Sequence, residues 1–168
     1  MKLNKKFIVF GKPNIGKAEI EGIKSVVNSK WVGTGPITNK FEKLFKKYKN
    51  SKNAVALNSC TAALHLSLIA CGIKKNDEVI TTPMTFASTI NSIIHVGARP
   101  ILADIENDTF NIDPNEVVKK ITKRTKAIII VHFAGLPCKM TQIKKIAKKY
   151  KLKIIEDCAH AIEAKYNN

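Results

Sequence analysis

Two groups of residues, far apart in the sequence, have the chemistry to bind opposite ends of one ligand. Asp157 closes a short apolar run, residues 154–157, that is typical of a buried strand. A carboxylate at the carboxyl end of such a strand faces the crevice in which open α/β sheets bind ligands. Residues 58–65, NSCTAALH, form a hydroxyl-rich start to an apolar helix. Because a helix N-terminus presents unpaired N–H groups and partial positive charge, this segment could bind a phosphate.

A ligand that fits both groups has an anionic end and a basic ring nitrogen, and pyridoxal phosphate is such a ligand. A carboxylate beside the ring nitrogen favours its protonated form, and the resulting pyridinium is a better electron sink than the neutral ring. Each group also has an ordinary structural interpretation. Asp157 could cap the segment after the strand, and Ser59 and Thr61 are both suitable N-cap residues.

Short apolar runs alternate with segments of helical periodicity along most of the chain. This order predicts a three-layer α/β fold, with a mainly parallel sheet and helices on both of its faces. The run at 127–131 is continuous and β-branched, which is typical of a strand covered on both sides. Strands are predicted at residues 54–57, 78–82, 100–105, 127–131 and 153–156, and helices at residues 61–71, 87–96, 113–121 and 140–150.

The N-terminal part of the chain has a different pattern. Residues 1–17 are punctuated by Gly and Pro, which predicts an extended arm. Amphipathic helices are predicted at residues 18–30 and 37–48, with the turn-rich loop WVGTGP at residues 31–36 between them. We therefore expect a helical arm over residues 1–50, packed on a main α/β domain over residues 51–168.

The strong positive charge raises the question of nucleic-acid binding. The 168 residues include 29 Lys and Arg against 13 Asp and Glu, for a net charge of +16. The lysines are spread in pairs along the predicted helices, and the sequence has no stripe of aromatic and basic residues suited to stacking bases. We therefore favour solvated helix faces, and expect only weak, salt-dependent binding to DNA with no specific nucleic-acid partner.

The cysteines and the hydropathy of the sequence indicate in which cellular compartment the protein is found. The four cysteines form no C-x-x-C pair, and their spacing relative to the four histidines does not match a zinc site, so no metal is expected. Buried free thiols in a reducing compartment are the simpler interpretation. The apolar run at residues 7–10 is too short for a signal peptide, and no apolar stretch could span a bilayer. The sequence predicts a cytoplasmic protein without a membrane partner.

Several motifs, in one order along nearly the whole chain, resemble the sugar aminotransferases of the DegT/DnrJ/EryC1/StrS family. They are NSCTAALH at 58–65, DEVIT at 77–81, TF at 85–86, GARP at 97–100, NIDP at 111–114, RTKAI at 124–128 and IED at 155–157, with WVGTGP at 31–36 similar to the family's N-terminal loop. The resemblance implies fold type I of the pyridoxal-phosphate-dependent transferases, with a truncated large domain and without the small C-terminal domain.

The resemblance also implies which residues contact the coenzyme ring. Asp157 matches the aspartate that pairs with the pyridine nitrogen, and Phe86 matches the aromatic residue that stacks on the ring. His160 occupies a position that in relatives is His or Gln near the ring oxygen. Taken alone, Phe86 would more often belong to the core, and His160 is equally suited to a structural hydrogen bond. Weaker candidates are the other histidines, His65, His95 and His132.

A second set of residues matches the phosphate contacts and the N-terminal loop. Thr61 and Ala62 match the phosphate ligands, through their N–H groups and the threonine hydroxyl, and Ser59 and Cys60 lie beside them. In the N-terminal loop, the residues expected near the substrate or a subunit interface are Trp31, Thr34 and Gly35. The relatives are dimers that share residues between active sites, so a homodimer or a complementing C-terminal half is the expected partner.

The lysine that binds the coenzyme as a Schiff base is not found in this sequence. In the family it follows the aspartate by a few tens of residues, after a Ser-Phe segment. Here Lys165 is the one lysine after Asp157, and it lies too close, among neighbours that do not match. A catalytic acid or base contributes about 10²–10⁴-fold to a rate. We therefore expect no catalytic residue in this polypeptide and no useful transamination by it alone.

The leading interpretation is the N-terminal part of an aminotransferase that uses pyridoxal phosphate. Its substrates would be an amino-acid donor and a nucleotide-linked keto-sugar, in surface-polysaccharide or glycan biosynthesis. A dehydratase of the same family remains open, because the deciding position is the missing lysine. The alternative is a non-catalytic protein that binds a phosphorylated ligand or a homologous subunit. The sequence does not decide between a fragment, a split gene and a decayed copy.

Overall fold

The structure is a computed structural model and describes residues 11–167. Contacts divide the chain into two units, Met1–Ala56 and Leu57–Asn168, so the division falls a few residues after the boundary expected at residue 50. The first part of the predicted N-terminal arm, residues 1–10, lies outside the described residues.

The first unit contains the two predicted amphipathic helices, α1 (Lys17–Asn28) and α2 (Pro36–Tyr48). The N-terminus of α1 is capped because the Glu19 carboxylate accepts a hydrogen bond from the N–H of Gly16, over 2.7 Å. Helix α2 begins with Pro36, whose ring fixes a helical φ and whose missing N–H costs nothing in the first turn.

The strand predicted at residues 54–57 is wrong. A strand needs hydrogen bonds to a neighbouring strand, and residues 54–57 pair with no strand in the described part of the chain. The N–H of Ala56 donates instead to the Glu42 carboxylate, over 2.8 Å. Val55 is 75% exposed, so the apolar character of this segment does not reflect burial.

The second unit is built on a parallel sheet of four strands, which confirms the predicted α/β class. The strands are β1 (Glu78–Thr81), β2 (Arg99–Leu102), β3 (Thr125–Val131) and β4 (Lys153–Asp157). They lie in the order β2-β1-β3-β4, and all three neighbouring pairs are parallel. The β2 strand is shorter than predicted, because the chain leaves the parallel ladder and Ile105 pairs antiparallel with Ile112.

Helices cover both faces of this sheet. Helices α3 (Cys60–Ala70) and α4 (Ala87–His95) pack on one face, and α5 (Pro114–Lys120) and α6 (Met140–Tyr150) on the other. Successive strand residues point to opposite faces. The face covered by α3 and α4 has a core that includes Leu64, Leu68, Val79, Ile93, Ile129 and Ile155. The face covered by α5 and α6 has a core that includes Ile80, Val117, Ile128, Ile130, Ile143 and Ala147.

Local sequence signals explain where the helices of this unit begin and end. The Ser59 hydroxyl accepts a hydrogen bond from the N–H of Ala62, over 3.1 Å, and so caps α3. Gly72 and Gly97 follow α3 and α4 with φ values of +76° and +75°, a conformation that glycine adopts without strain. The short 3₁₀ helix Phe133–Gly135 was not predicted, because three residues are too few to show periodicity.

Candidate functional site

The strand order places a crevice at one edge of the sheet. The chain passes from β1 to β2 through α4 on one face, then returns to β3 through α5 on the other face. The order therefore reverses between β1 and β3, and ligands of open α/β sheets bind outside the carboxyl ends of the strands at such a point. Thr82, His132 and Asp157 stand at the carboxyl ends of β1, β3 and β4.

Asp157 is the central polar group of this edge. It is the last residue of β4 and is only 5% exposed. One carboxylate oxygen, Oδ2, accepts a hydrogen bond from the Thr89 hydroxyl over 2.8 Å. The other, Oδ1, accepts from the N–H of Ala159 over 3.2 Å and from the thiol of Cys60 over 3.6 Å. A buried carboxylate is therefore held by donors from its own turn and from two helices.

Cys60 joins Asp157 to the start of α3, so the two groups singled out in the sequence meet. Cys60 is the first residue of that helix, and Asp157 lies against it. A helix N-terminus ordinarily lowers a thiol pKa. Although the residue as a whole is exposed, partial desolvation of its sulfur and, after it, the Asp157 carboxylate raise the pKa of Cys60 to about 11. The thiol is consequently protonated at neutral pH and donates to Asp157.

The first turn of α3 is only partly available for a phosphate. The N–H of Ala62 donates to the Ser59 hydroxyl, so Ser59 caps the helix, which is one of the two roles that its residue type allowed. The N–H groups of Cys60 and Thr61 belong to the first turn, where the helix provides no acceptor. Those two amides and the Thr61 hydroxyl lie outside the cap, and the roles of Ser59, Cys60, Thr61 and Ala62 toward a phosphate stay predictions.

Phe86 and His160 are at the surface of this unit. Phe86 is 81% exposed and precedes α4, so it does not belong to the core. Its neighbour Thr85 is hydrogen bonded through its hydroxyl to the Thr89 hydroxyl, over 2.7 Å. His160 is exposed, and its carbonyl lies 3.1 Å from the position that a Cβ on Gly135 would occupy. An exposed aromatic ring at this place is free to stack on a ligand.

His132, Glu156 and Cys158 bring three potential metal ligands within 4.8 Å of one another. The imidazole Nδ1 of His132 accepts a hydrogen bond from the N–H of Cys138 over 3.1 Å, so that nitrogen carries no proton. Nε2 then keeps its proton and donates to the Glu156 carboxylate over 3.0 Å. The thiols of Cys138 and Cys158 and this carboxylate raise the pKa of His132, but the amide at Nδ1 favours the neutral ring. The cluster is satisfied by its own hydrogen bonds.

The expectation of buried thiols is correct only for one cysteine. Cys138 is buried, whereas Cys60 and Cys158 are exposed and Cys71 is intermediate. Both exposed thiols lie at the carboxyl edge of the sheet, where crevice residues need access to a ligand. The helical pattern around Cys60 suggested burial, but the residue begins its helix at that edge.

Thr85 and Thr89 are the site residues that sequence reasoning missed. Thr85 lies two residues before α4 and Thr89 in its first turn, so a signal was present: two hydroxyls four residues apart at the start of a helix. Thr89 is fully buried, and a buried hydroxyl needs a partner. The sequence could not identify Asp157 as that partner, because the contact joins residues 68 positions apart.

The N-terminal loop forms a local structure within the first unit. The indole Nε1 of Trp31 donates to the Thr34 carbonyl over 2.9 Å and covers Gly35. A cleft of about 330 Å³ lies beside this loop and is lined by Trp31, Pro36 and Ile37 among others. Trp31 is 58% exposed, so the indole remains accessible to a ligand or a second protein.

Gly35→Ala is expected to displace the indole of Trp31. A Cβ on Gly35 would lie 2.4 Å from Nε1, far inside van der Waals contact, so the ring must move and lose its bond to Thr34. Since Trp31 is the single tryptophan, the emission spectrum and its quenching by acrylamide report this movement directly. Gly33→Ala is the matched control, because a Cβ there meets no atom within 4 Å. Equal spectra for the two variants would contradict the expected packing.

Across residues 11–167, every helix is too short or too polar to cross a bilayer.

Comparison with known proteins points to one family. The DegT/DnrJ/EryC1/StrS aminotransferase family model matches residues 13–168. The spore coat polysaccharide biosynthesis protein SpsC of Bacillus subtilis is 48% identical over 160 residues, which are 95% of this chain and 41% of SpsC. An uncharacterized protein of Methanocaldococcus jannaschii is 54% identical over 155 residues, 92% of this chain and 40% of that protein.

Solved structures show the same relationship. The putative sugar aminotransferase Spr1654 of Streptococcus pneumoniae, in its PMP form, superposes with a TM-score of 0.88 at 35% identity, over 92% of this chain and 43% of that one. It is also known in a PLP form. An aminotransferase of Psychrobacter cryohalolentis superposes with a TM-score of 0.88 at 38% identity, over 92% and 40% of the two chains.

The 168 residues thus span about 40% of the length of the curated relatives that they match. The family depends on pyridoxal phosphate, and the parallel sheet with helices on both faces agrees with the truncated large domain expected from the sequence. With a family model matched over nearly all of its length, this chain belongs to the DegT/DnrJ/EryC1/StrS aminotransferase family.

Proposed function

We propose that the chain supplies the coenzyme-binding part of a pyridoxal-phosphate-dependent aminotransferase that acts on a nucleotide-linked keto-sugar in polysaccharide or glycan biosynthesis. The contact between Asp157 and Cys60 carries the proposal, because it brings a buried carboxylate against the first turn of α3. Family membership supports the transferase class, and relatives named for sugar transamination or coat polysaccharide support the substrate class.

The residues at the edge of the sheet fit the coenzyme. Asp157 would accept a hydrogen bond from the ring nitrogen, and the amides of Cys60 and Thr61 would bind the phosphate with the Thr61 hydroxyl. Phe86 has a ring face available for stacking, and His160 lies three residues after Asp157 in the exposed turn. One hydrogen-bond acceptor, Asp157, and the donors at the start of α3 therefore match a ligand with a protonated ring at one end and a phosphate at the other.

Asp157 has the main chemical task in this proposal. When bound, the coenzyme supplies an electron sink for the carbanion that forms at the substrate carbon. Asp157 favours the protonated ring nitrogen by charge, and its low exposure strengthens that interaction. The protonated thiol of Cys60 keeps a second negative charge away from Asp157 and from the phosphate-binding turn.

The proton transfers of transamination need a base, and we propose that Lys165, the one lysine after Asp157, is not that base. Lys165 is exposed, and its neighbours differ from the family's lysine motif. We therefore propose that this polypeptide binds the coenzyme without a covalent bond and does not turn over alone. Whether the complete activity is that of an aminotransferase or of a dehydratase depends on the residue at the lysine position.

The remaining assignments are proposals on the same basis. A homodimer, or a complementing C-terminal half, would cover the exposed apolar residues of α3 and α4, Leu66, Ile69 and Ile94. Trp31, Thr34 and Gly35 would approach the substrate or that partner. The residues 1–50 would form an arm and residues 51–168 a partial large domain. Four free thiols support a cytoplasmic location.

Coenzyme binding tests the proposal directly. The purified chain is titrated with pyridoxal phosphate and with its carbocyclic analogue, in which a C–H replaces the ring nitrogen, and inorganic phosphate is added as a competitor. We expect binding that phosphate competes for, a preference for the natural coenzyme, and no single lysine that borohydride reduction labels ahead of the other exposed lysines. Turnover is assayed with glutamate and a nucleotide-linked keto-sugar and is expected at background level. Absence of binding, or robust turnover, would contradict the proposal.

A further inference from the structure

The hydrogen bonds of Asp157 leave few places for a ligand. A carboxylate has about four lone-pair positions on its two oxygens. Among the described residues, Ala159 and Cys60 donate to Oδ1, and Thr89 donates to Oδ2. Three positions are therefore used, and the fourth lies on Oδ2. The Thr89 hydroxyl occupies one of the two lone-pair positions of Oδ2. It therefore determines the direction from which Asp157 can accept another hydrogen bond.

The direction of the Thr85–Thr89 hydrogen bond follows from the same accounting. An ionised carboxylate only accepts hydrogen bonds, so the Thr89 hydroxyl donates its proton to Asp157. Its oxygen is then the acceptor for the Thr85 hydroxyl, 2.7 Å away. Thr89 is fully buried, and its backbone carbonyl accepts from the Ser92 hydroxyl over 2.8 Å. The donor to Oδ2 is thereby fixed in place.

We infer that Thr89 is a positioning residue that, with Cys60 on the opposite oxygen, orients the one remaining lone pair of Asp157 toward a protonated ring nitrogen. The two residues belong to different helices, α4 and α3, so each carboxylate oxygen accepts a hydrogen bond from a different helix. Thr85 supports Thr89 from the segment that carries Phe86. This inference rests on the proposed coenzyme role of Asp157, and it adds the group that determines the geometry of the contact.

Thr89→Val tests the inference, because valine has the shape of threonine without the hydroxyl. The preference of each variant is the ratio of the dissociation constants for the carbocyclic analogue and for pyridoxal phosphate. We expect Thr89→Val to reduce this preference about tenfold, the usual contribution of a hydrogen bond to a charged group. Thr89→Ser keeps the hydroxyl and should retain the preference of the unmodified chain.

Two further variants make the comparison decisive. Thr81→Val removes another fully buried hydroxyl, one with no hydrogen-bond partner in the described part of the chain, and should leave the preference unchanged. Thr85→Val is made at a partly buried position and should weaken the preference in the same direction, so the inference remains testable if Thr89→Val does not fold. A general packing effect would lower the affinity for both ligands and leave their ratio constant.

A measurement without coenzyme separates this inference from the proposed function. The side-chain carboxyl ¹³C resonance of Asp157, assigned through its loss in Asp157→Asn, should move in Thr89→Val and not in Thr81→Val or Thr89→Ser. If the unmodified chain prefers the natural coenzyme and Thr89→Val keeps that preference, the positioning role is overturned while the coenzyme role stands. If the unmodified chain shows no preference, the coenzyme role fails, and an unmoved carboxyl resonance would remove the positioning role as well.

Discussion

Asp157→Asn is expected to abolish the preference of the chain for pyridoxal phosphate over its carbocyclic analogue. Asparagine has nearly the same volume but no charge, so a charge-assisted hydrogen bond to the ring nitrogen is lost. Such a bond contributes about 1.5–3 kcal/mol, and we expect the affinity for the natural coenzyme to fall about 10- to 100-fold. The affinity for the analogue should hardly change, because it has no ring nitrogen. Parallel titrations of the two ligands measure both effects.

The same substitution has a second expected consequence that does not involve the coenzyme. Partial desolvation of the sulfur is the largest cause of the raised pKa of Cys60 and persists in the variant, whereas the contribution of the Asp157 charge is removed. The pKa of Cys60 should therefore fall part of the way from about 11 toward its ordinary value. Since the thiolate is the reactive form, alkylation of Cys60 by iodoacetamide at pH 8.5 should become about tenfold faster.

Peptide mass spectrometry makes this measurement specific to one of the four cysteines. The peptide containing Cys71 serves as the internal reference, because this residue lies at the opposite end of α3 from Cys60 and should react at the same rate in both proteins. A variant in which Cys60 reacts no faster, relative to Cys71, would show that Asp157 does not interact with the thiol. The result would also weaken the proposed coenzyme site, because that site depends on the same contact.

The strands and helices of the sheet unit could be predicted because their signals are local. A continuous β-branched run such as the one in β3 indicates a strand that is buried on both faces. Gly72 and Gly97 indicate helix ends, because glycine readily adopts the positive φ found there. The segment 54–57 has a similar apolar composition, but a strand also requires a hydrogen-bonding partner. Composition does not report whether that partner is present, so this strand was predicted wrongly.

The site could be predicted in part, because parallel topology brings the carboxyl ends of strands to one edge. Asp157 and the start of α3 were identified from residue types, and the structure places Cys60 against Asp157. The role of Thr89 could not be anticipated, since it depends on how α4 packs on the sheet. The sequence allowed Ser59 to cap the helix or to lie beside a bound phosphate, and the structure shows the capping bond to the Ala62 amide.

Glu78→Gln is expected to destabilise the sheet unit substantially. Glu78 lies at the start of a strand, whereas the proposed coenzyme site lies at the carboxyl ends of the strands. Glu78 begins β1 and is only 2% exposed. Its carboxylate accepts a hydrogen bond from the Thr122 hydroxyl and two from the guanidinium of Arg124, at 3.0 and 2.7 Å. Glutamine keeps one oxygen for Arg124, but it has no negative charge, and its NH2 group replaces the oxygen that accepts from the Thr122 hydroxyl. We expect the free energy of unfolding to fall by about 2 kcal/mol in chemical denaturation.

Glu116→Gln is the matched control, because it breaks a salt bridge at the surface. Glu116 pairs with Lys119 one turn along α5, and the lysine side chain is largely exposed. Pairs of this kind contribute little, since water and salt screen them. The free energy of unfolding of this control should fall by less than about 1 kcal/mol, although Glu116 also has a favourable charge in the first turn of the helix. Equal losses for the two variants would contradict the importance assigned to burial.

The pH dependence identifies the ionised carboxylate as the source of the effect. The Thr122 hydroxyl and, after it, Arg124 lower the pKa of Glu78 in the folded protein, against the opposing effect of burial. A lowered folded pKa means that the stabilisation is complete above the unfolded pKa of glutamate, about 4.3, and is lost as the pH falls through the folded value. The difference between the unmodified chain and Glu78→Gln should therefore be constant from pH 7 to about pH 5 and shrink below about pH 4. A difference that stays constant down to pH 3 would show that shape, rather than charge, is what glutamine fails to reproduce.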